Sequence, residues 1–330
     1  MTRQRSAAAR VIDLLLETSV VGSFSRIGFS TRARIFGWQN PLDGVVSRRV
    51  LVTGANSGLG FAVTASLLRH GAYVTATTRS IAKSARMRAQ LDAALGFSVG
   101  NRLMTDELDL HNLASVRAFG ARHADTKLDT LIHNAGALHH TFAHTVDGLE
   151  RTVQEHVLAP FVLTTLLRGT LERSGDGRVI TVTSGGLYTT PLASGLFERS
   201  ADGFNGARMY AEAKRAQLVL THQWQRRFGS DSLTFFATHP GWVDTPGLAS
   251  SLPGFSGRLR PLLRDPAMGV DTILYLTNAP VTSVRNRLWH DRLPRRQHRL
   301  AHTFTRRGLA GQLWADACRT TGVSPYSDET

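Results

Sequence analysis

Residues 49–68 decide the fold: they read Arg49-Val-Leu-Val-Thr-Gly54-Ala-Asn-Ser-Gly58-Leu-Gly60 and continue Phe-Ala-Val-Thr-Ala-Ser-Leu-Leu68. The apolar run predicts a β-strand, the glycines predict a turn, and the apolar residues after them predict a helix. Glycines in such a turn let the backbone approach a pyrophosphate, and the helix N-terminus offers it unpaired N–H groups. The stretch therefore predicts a dinucleotide phosphate site, the alternative being a glycine-rich turn that binds nothing. The expected cofactor contacts here are Gly54, Asn56, Ser57, Gly58, Leu59 and Gly60.

Strands and helices continue to alternate from this turn to about residue 250. Further strands are predicted at 72–77, 102–108, 128–133, 178–183 and 233–238. Repeated β-then-α units of this length predict an α/β fold, a doubly wound parallel sheet with helices on both faces. Pro160 lies inside the longest predicted helix and is expected to bend or break it, because proline removes one backbone hydrogen bond.

The pattern predicts a single domain with two extensions. We divide the chain into an N-terminal amphipathic extension (1–48), a catalytic domain (49–250) and a C-terminal substrate flap with a basic tail (251–330). The first extension has apolar residues at Val11, Leu14 and Leu15 with helical spacing. Such a helix either packs on the sheet domain or touches a membrane surface.

The charge of the chain is strongly positive and unevenly distributed. The 330 residues carry a net charge of +14 and 42% of them are hydrophobic, so a substantial core is expected and disorder is not. Residues 1–50 contribute +5 and residues 256–310 contribute +8. Basic flanks can meet nucleic acid, anionic lipid or a phosphorylated ligand. These flanks lack interleaved aromatic residues and groove-binding motifs, so no specific nucleic-acid partner is expected.

Cysteine usage and hydrophobic runs bear on location. The single cysteine, Cys318, excludes an internal disulfide framework and a cysteine-based zinc site, and no metal is expected. Asp13 and Glu17 interrupt the apolar run that otherwise resembles a signal peptide. No run is long enough to span a membrane. A cytoplasmic protein is predicted, with peripheral membrane contact through the basic flanks as an alternative, and a homodimer is compatible with the sequence.

The end of the second predicted strand bears on the choice between NAD and NADP. An acidic residue there would bind the ribose 2′-OH and repel a 2′-phosphate. This chain has Arg79 and no acid between Ala72 and Lys83. A guanidinium can clamp a phosphate through two hydrogen bonds, so NADP(H) is the preferred cofactor, with NAD(H) as the alternative.

Loops after four other strands are predicted to meet at the carboxyl edge of the sheet, where ligands bind in open α/β sheets. Asp109 and Leu110 could reach an adenine, and small residues after the fourth strand could lie against the cofactor. Thr245 could contact the nicotinamide carboxamide or the pyrophosphate. The candidate cofactor contacts on these loops are Asp109, Leu110, Asn134, Ala135, Gly136, Pro240, Gly241, Val243 and Thr245.

Tyr210 and Lys214 are separated by four positions at the start of a predicted helix, so their side chains share one face. A nearby ammonium is expected to lower the pKa of a phenol and make it usable as an acid or base. Lys214 is one of only 3 lysines among 39 basic residues, which distinguishes the pair from an exposed Tyr and Lys on a solvated face. Ser184 follows the fifth strand on the same edge and could hold a substrate carbonyl.

The ordered set TGANSGLG, Asn134-Ala-Gly136, Ser184, Tyr210-xxx-Lys214 and His239-Pro-Gly-Trp-Val-Asp-Thr245 resembles the short-chain dehydrogenase/reductase family. The long gap between Ser184 and Tyr210 is similar to the retinol-dehydrogenase-like branch. The resemblance implies a Rossmann-type domain and NAD(P)-dependent interconversion of a carbonyl and an alcohol. It implies that Ser184 and Tyr210 hold the substrate oxygen, that Tyr210 exchanges the proton, and that Lys214 stabilises the tyrosinate and binds the ribose.

One position departs from the family pattern. His156 stands where the family has an asparagine that is thought to hold a water for proton relay, and Ala159 replaces a small glycine. We expect His156 to take part in catalysis by binding a water or by shuttling a proton, since its unperturbed pKa is about 6.5. The alternative is a weakly active or non-catalytic cofactor-binding protein.

The substrate is expected to be a small carbonyl or alcohol compound. The loop at 185–209 and the flap at 249–266 are expected to shape its pocket, and their content of Leu, Phe and Tyr favours an apolar compound.

Overall fold

The computed structural model describes residues 7–280, 287–324 and 326. Residues 1–6 of the predicted N-terminal extension and 281–286 of the predicted tail therefore lie outside the described residues. The chain begins with three helices, α1 (Ala7–Thr18), α2 (Val20–Phe24) and α3 (Arg26–Phe36).

The first half of the sheet domain follows the predicted alternation. Its elements are β1 (Arg49–Val52), α4 (Gly58–Arg69), β2 (Tyr73–Thr78), α5 (Ile81–Leu95), β3 (Leu103–Glu107), α6 (Leu113–His123) and β4 (Thr130–His133).

The second half contains the longest helix and the last strands. Its elements are α7 (Arg151–Val153), α8 (Ala159–Glu172), β5 (Gly177–Val182), α9 (Gly206–Phe228), β6 (Leu233–Thr238), α10 (Pro246–Ser251), α11 (Pro253–Leu259), α12 (Pro266–Asn278), β7 (Leu288–His290), β8 (Leu293–Arg295) and α13 (Leu309–Thr321).

One eight-stranded sheet organises the domain, with the strand order β3-β2-β1-β4-β5-β6-β7-β8. All neighbours are parallel except β7 and β8, which form an antiparallel hairpin. The predicted doubly wound α/β fold is confirmed. The order reverses between β1 and β4, and ligands in such sheets bind where the carboxyl ends of the strands flank this reversal.

Both faces of the sheet are buried, as parallel sheets require. Leu51, Leu131 and Val179 pack in one core cluster with residues of α6, α8 and α9. Val50 and Ile132 face the other way and pack with residues of α4 and α12. Because side chains alternate along a strand, this uninterrupted apolar pattern places helices on both sides and leaves the carboxyl edge for the site.

The predicted helix that contains Pro160 is interrupted next to this residue, as expected. A π-helical turn at Gln154–Leu158 joins α7 to α8, and the N–H of Ala159 bonds to the carbonyl of Gln154. Pro160 is the second residue of α8 and has no N–H to offer the carbonyl of His156, which accepts a hydrogen bond from Nε2 of Gln217 instead. Single π-helical turns frequently occur at functional sites, and this one carries His156.

The sheet extends beyond residue 250, which is the predicted end of the catalytic domain. β7 pairs in parallel with β6, and α12 packs against α4. The two residues between β7 and β8, Asp291 and Arg292, have φ angles of 52° and 51°. Two successive residues with positive φ are typical of the tight type I′ hairpin turn.

The N-terminal helices are attached to the rest of the protein by buried ion pairs. Arg32 of α3 is fully buried and binds Asp13 of α1 at 2.7 Å, Glu17 at 3.0 Å and Asp291 of the hairpin turn at 2.7 Å. Arg264 binds the other oxygen of Asp291 at 2.6 Å. The buried carboxylate of Asp291 thus lies between two buried guanidinium groups.

Arginines of the C-terminal tail join the same network. Arg295 binds Asp13 at 2.8 Å, and Arg299 donates hydrogen bonds to the carbonyl and carboxylate of Glu17. Three arginines of the two flanks, Arg32, Arg295 and Arg299, therefore point inward and pair with acids of α1.

Helix α1 lies on the protein with its acidic residues facing inward and its apolar residues facing solvent. Asp13 and Glu17 enter the ion-pair network, whereas Val11, Leu14 and Leu15 are 56%, 61% and 65% exposed. The helix thus packs on the protein through its acidic face, which the buried arginines attract, and its apolar residues do not take part in this packing. Within the described residues, no helix is long and apolar enough to cross a membrane.

Candidate active site

The glycine turn after β1 is pressed against the end of β4. Gly54 has a φ of 65°, and a Cβ atom there would lie 2.8 Å from the Cα of Ala135. A Cβ at Gly60 would lie 2.3 Å from the carbonyl oxygen of Gly54. Larger residues cannot occupy either position without moving backbone. The side chain of Ser57 does not cap α4, and the first turn of this helix holds no acid. The turn and the helix N-terminus therefore suit a phosphate group.

Asn134 and Ala135 hold this turn in place. The side chain of Asn134 donates hydrogen bonds to the carbonyls of Thr53 and Gly54 at 3.0 and 3.3 Å. The backbone N–H groups of Asn134 and Ala135 both donate to the hydroxyl of Thr53. Asn134 thus joins the loops after β1 and β4, in addition to the cofactor contact that remains a prediction.

The loop after β6 forms the opposite side of the cleft. A Cβ atom at Gly58 would lie 3.8 Å from Thr245, so this loop and the glycine turn face each other across a short gap. The hydroxyl of Thr245 accepts the N–H of Leu248 and caps α10. Gly241 has a φ of 80°, and a Cβ there would meet Arg264.

Arg264 also positions the residues on either side of Gly241. It donates a hydrogen bond to the carbonyl of Pro240 at 3.1 Å, and its backbone pairs with Val243 in an isolated bridge. Leu59 and Val243 both lie against Gly269 of α12.

Four predicted cofactor contacts have distinct surroundings. Arg79 lies directly after β2, is exposed, and forms no hydrogen bond or ion pair with any residue that the structure describes. Asp109 accepts the N–H of His111 at 3.0 Å and so stabilises its own turn. Leu110 is buried in the core cluster that includes α6 and α8. Asn56 lies half-buried on the glycine turn.

The four predicted catalytic residues converge at the ends of β4 and β5. The ammonium of Lys214 lies 5.4 Å from the ring centroid of Tyr210, and the rings of His156 and Tyr210 meet edge to face with centroids 5.3 Å apart. Lys214 also donates a hydrogen bond to the carbonyl of Val182 at 2.9 Å. Ser184 follows β5 on the same edge, and its hydroxyl acts on the pKa of Tyr210.

Burial disfavours charge on both members of the Tyr–Lys pair. Desolvation raises the pKa of Tyr210 above its usual value, and the hydroxyl of Ser184 opposes this shift. Desolvation lowers the pKa of Lys214 to about 7, and the carboxylate of Glu155 opposes that shift. The expected lowering of the phenol pKa by Lys214 is therefore wrong for the protein alone. Tyr210 is protonated at neutral pH and can donate a proton.

His156 is held as a neutral imidazole. Its Nε2 lies 3.0 Å from the carbonyl oxygen of Ala137, and no residue of the described part of the chain bonds its buried Nδ1. Burial lowers the pKa of His156 to about 3, and the charge of Lys214 acts in the same direction. The imidazole therefore offers Nδ1 as an acceptor and carries no positive charge near neutral pH. A Cβ at Gly136 would lie 2.0 Å from this ring, so the glycine makes room for it.

Two neighbours of the site were not anticipated. Glu155 lies beside His156 in the π-helical turn, with its Oε2 2.8 Å from Nε2 of His139. Burial raises the pKa of Glu155, but the facing histidines outweigh this effect and bring it well below its usual value. A carboxylate next to His156 was visible in the sequence, but helical spacing alone does not show which side chains face it.

The second unanticipated neighbour of the site is Phe24 of α2. A Cβ atom at Gly185, next to Ser184, would lie 2.7 Å from the Phe24 ring. The same ring contacts Tyr188 and Trp242 with centroids 6.0 and 5.9 Å apart. The N-terminal helices therefore pack behind the segment that carries Ser184, where Phe24 is buried with Tyr188 in one apolar cluster. No motif in the sequence signals this contact.

Comparison with known proteins agrees with this arrangement. The family model described as short chain dehydrogenase matches residues 48–253. The bovine (Bos taurus) protein named dehydrogenase/reductase SDR family member 12 is 34% identical over 278 residues, which are 83% of this chain and 86% of that protein. The chain belongs to the short-chain dehydrogenase/reductase family.

Other relatives indicate the branch of the family to which the chain belongs. Retinol dehydrogenase 14 of Mus musculus is 34% identical over 260 residues, covering 74% of this chain and 78% of that protein. A crystal structure of a protein from Mycobacterium paratuberculosis has a TM-score of 0.66 at 27% identity, covering 87% of this chain and 98% of that one. This short-chain dehydrogenase/reductase belongs to the retinol-dehydrogenase-like branch, and it is an NAD(P)-dependent oxidoreductase that interconverts carbonyl and alcohol groups.

Proposed function

We propose that the protein is an NADP(H)-preferring reductase of an apolar carbonyl compound, with Ser184, Tyr210 and Lys214 as catalytic residues. The observation that carries the proposal is geometric: the ring of Tyr210 lies 5.4 Å from the ammonium of Lys214 and against His156, at the edge of the sheet where Ser184 follows β5. A protonated phenol is the state that a carbonyl reduction needs as proton donor.

Each residue has a separate task in this proposal. Ser184 and Tyr210 hold the substrate oxygen through hydrogen bonds, and Tyr210 gives its proton to that oxygen. Lys214 stabilises the tyrosinate that remains and binds the ribose of the cofactor, which a compact ammonium can do at both places. His156 keeps the Tyr210 ring in place by its edge contact. When bound, the cofactor supplies the electron pair for the reduction.

The cofactor is held by the loops that converge on the cleft. The glycine turn and the N-terminus of α4 bind the pyrophosphate, and Thr245 faces the glycine turn from the other side. Arg79 is exposed beyond the end of β2, with no bond to another residue that the structure describes. A guanidinium that is not engaged within the protein is available to bind a 2′-phosphate.

Replacing Arg79 by glutamate is therefore expected to lower the affinity for NADPH by at least about 10-fold, with little effect on NADH. A charge-assisted hydrogen bond contributes about 1.5–3 kcal/mol, and an acidic residue would also repel the phosphate. Nicotinamide fluorescence on titration with each cofactor measures both affinities.

Arg86→Glu is the matched control. Arg86 is exposed on α5 and undergoes the same change of charge, so its variant reports the general electrostatic effect. Equal effects of the two substitutions, or tighter binding of NADH than of NADPH by the unaltered protein, would contradict the role proposed for Arg79.

An apolar substrate is supported by the wall of the cleft beside Ser184. Trp242 is partly exposed and packs against Phe255 of α11, and it also contacts the ring of Phe24, which is buried with Tyr188. A screen of aldehydes, ketones and secondary alcohols with NADPH tests the proposal, with nicotinamide absorbance as the readout. Turnover of apolar aldehydes or ketones is expected. Cofactor binding without turnover of any compound would favour the non-catalytic alternative.

We also propose that α1 rests on an anionic membrane surface. Val11, Leu14 and Leu15 form an exposed apolar face of α1. Arg10 is exposed on the same helix, and Arg26 is exposed at the start of α3. Amphipathic helices with this combination bind at the interface of anionic bilayers.

The double variant Leu14→Asp/Leu15→Asp is expected to lower binding to phosphatidylserine-rich vesicles by at least about 10-fold, since each buried leucine contributes about 1.5–3 kcal/mol. Co-sedimentation with vesicles measures the binding. Ile81→Asp/Val146→Asp removes two exposed apolar residues elsewhere and serves as the control. An equal loss in both variants, or no binding by the unaltered protein, would exclude the membrane surface.

A further inference from the structure

Two histidines and a glutamate meet beside the catalytic residues, although they are distant in the sequence. His111 lies in the loop after β3, His139 in the loop after β4, and Glu155 in the π-helical turn. Nε2 of His139 lies 2.8 Å from Oε2 of Glu155, and Nε2 of His111 lies 3.7 Å from the same oxygen. One nitrogen or oxygen from each residue lies within 4.8 Å of the other two.

This donor set matches a zinc site. Two histidines and a glutamate are a common ligand set for Zn²⁺ in sites that keep a fourth position open. Ligands about 2.0–2.2 Å from a tetrahedral ion lie roughly 3.3 Å from one another. The two measured separations lie on either side of this value, so small side-chain movements would bring the three donors into position.

The surroundings of the three residues also favour an ion. Nε2 of His111 is buried and has no hydrogen-bond partner among the described residues, which is costly for a polar atom. The backbone N–H of Ala137 lies 3.3 Å from Oε2 of Glu155 and orients the carboxylate, as outer contacts do in metal sites. The side chains of His111, His139 and Glu155 are 19%, 16% and 14% exposed, so the group is shielded but reachable from solvent.

We propose that His111, His139 and Glu155 bind a divalent transition-metal ion, with Zn²⁺ as the best match, through the two Nε2 atoms and one carboxylate oxygen. The fourth position is open to water or to a small anionic ligand. The single cysteine predicts no metal site, but a site built from histidine and carboxylate requires no cysteine.

An ion at this place would connect three segments of the carboxyl edge. These are the turn that begins at Asp109, the loop that follows Gly136, and the π-helical turn that carries His156. A ligand that binds the folded state raises its stability by mass action. Zinc is therefore expected to raise the melting temperature in a concentration-dependent way.

The test is a titration of the tag-free full-length protein, stripped with a chelator, by Zn²⁺ in competition with a chromogenic chelator. One tight site per chain is expected in the unaltered protein. His139→Ala and Glu155→Gln should each weaken this site by at least about 10-fold, the lower end of what removal of a metal ligand or its outer contacts costs. Both variants should also lose the zinc-dependent rise in melting temperature.

His140→Ala is the control, because His140 is the exposed neighbour of His139 and is not part of the group. It should bind zinc as the unaltered protein does. The proposal is overturned by the absence of a stoichiometric site, or by a tight site that survives both ligand substitutions. It is also overturned if His140→Ala weakens the site as much as they do. Circular dichroism of the metal-free variants identifies any that fail to fold, and Glu155→Gln retains the shape of the side chain it replaces.

Discussion

Tyr210→Phe is expected to lower kcat for the carbonyl compound identified by screening by about 100- to 10,000-fold, the usual contribution of a positioned general acid. The protonated phenol of Tyr210 contacts His156 and lies near Lys214. Phenylalanine retains the ring but lacks the hydroxyl that carries the proton. Cofactor affinity should change little, because Lys214 and the glycine turn remain. Steady-state kinetics and nicotinamide fluorescence on the same preparation measure the two quantities.

Tyr73→Phe is the control for this experiment. Tyr73 is the first residue of β2, at the end of the strand opposite the cleft, and its variant should retain full turnover. Survival of substantial turnover in Tyr210→Phe would mean that another group delivers the proton. A parallel loss of cofactor binding would mean that the substitution had disturbed the site as a whole.

Asp291→Asn is expected to lower the free energy of unfolding by about 3–5 kcal/mol, the range observed when one partner of a buried ion pair is removed. Burial alone would raise the pKa of Asp291, but the charges of Arg264 and Arg32 outweigh it and keep the pKa below its usual value. The amide of asparagine would leave both buried guanidinium groups without their shared counter-charge. Asparagine is also tolerated at the positive φ of this turn, so the substitution tests the charge rather than the backbone.

Urea unfolding followed by circular dichroism gives the change in stability. Asp316→Asn is the control, since Asp316 pairs with Arg319, whose side chain is 70% exposed. Exposed pairs contribute about 0–1 kcal/mol. A loss in Asp291→Asn no larger than in the control would show that the buried network does not anchor the N-terminal helices.

Patterns that are local in the sequence predicted most of the fold. The apolar run, glycine turn and helix at 49–68 specify the first unit, because strand and helix periods and the steric needs of Gly54 act over a few residues. The spacing of Tyr210 and Lys214 placed both on one face of α9 for the same reason. The break at Pro160 was also foreseen, although the form it takes, a π-helical turn, depends on what packs around it.

The pKa shifts of the site residues were harder to predict from the sequence. Proximity in the sequence suggested that Lys214 lowers the pKa of Tyr210, whereas burial dominates and raises it. Desolvation depends on everything packed around a group, and a spacing of four residues contains no information about that.

The sequence by itself determined the parallel α/β sheet, the glycine turn after β1 and the set Ser184, Tyr210 and Lys214. Only the tertiary structure decided where the charges of the flanks lie: Arg32 and Arg264 are buried against Asp291, and the apolar face of α1 is left exposed. Tertiary structure also brought His111, His139 and Glu155 together. The physical reason is that pairing of buried charges and convergence of ligands depend on distances between residues far apart in the chain, whereas strands, helices and turns depend on neighbours.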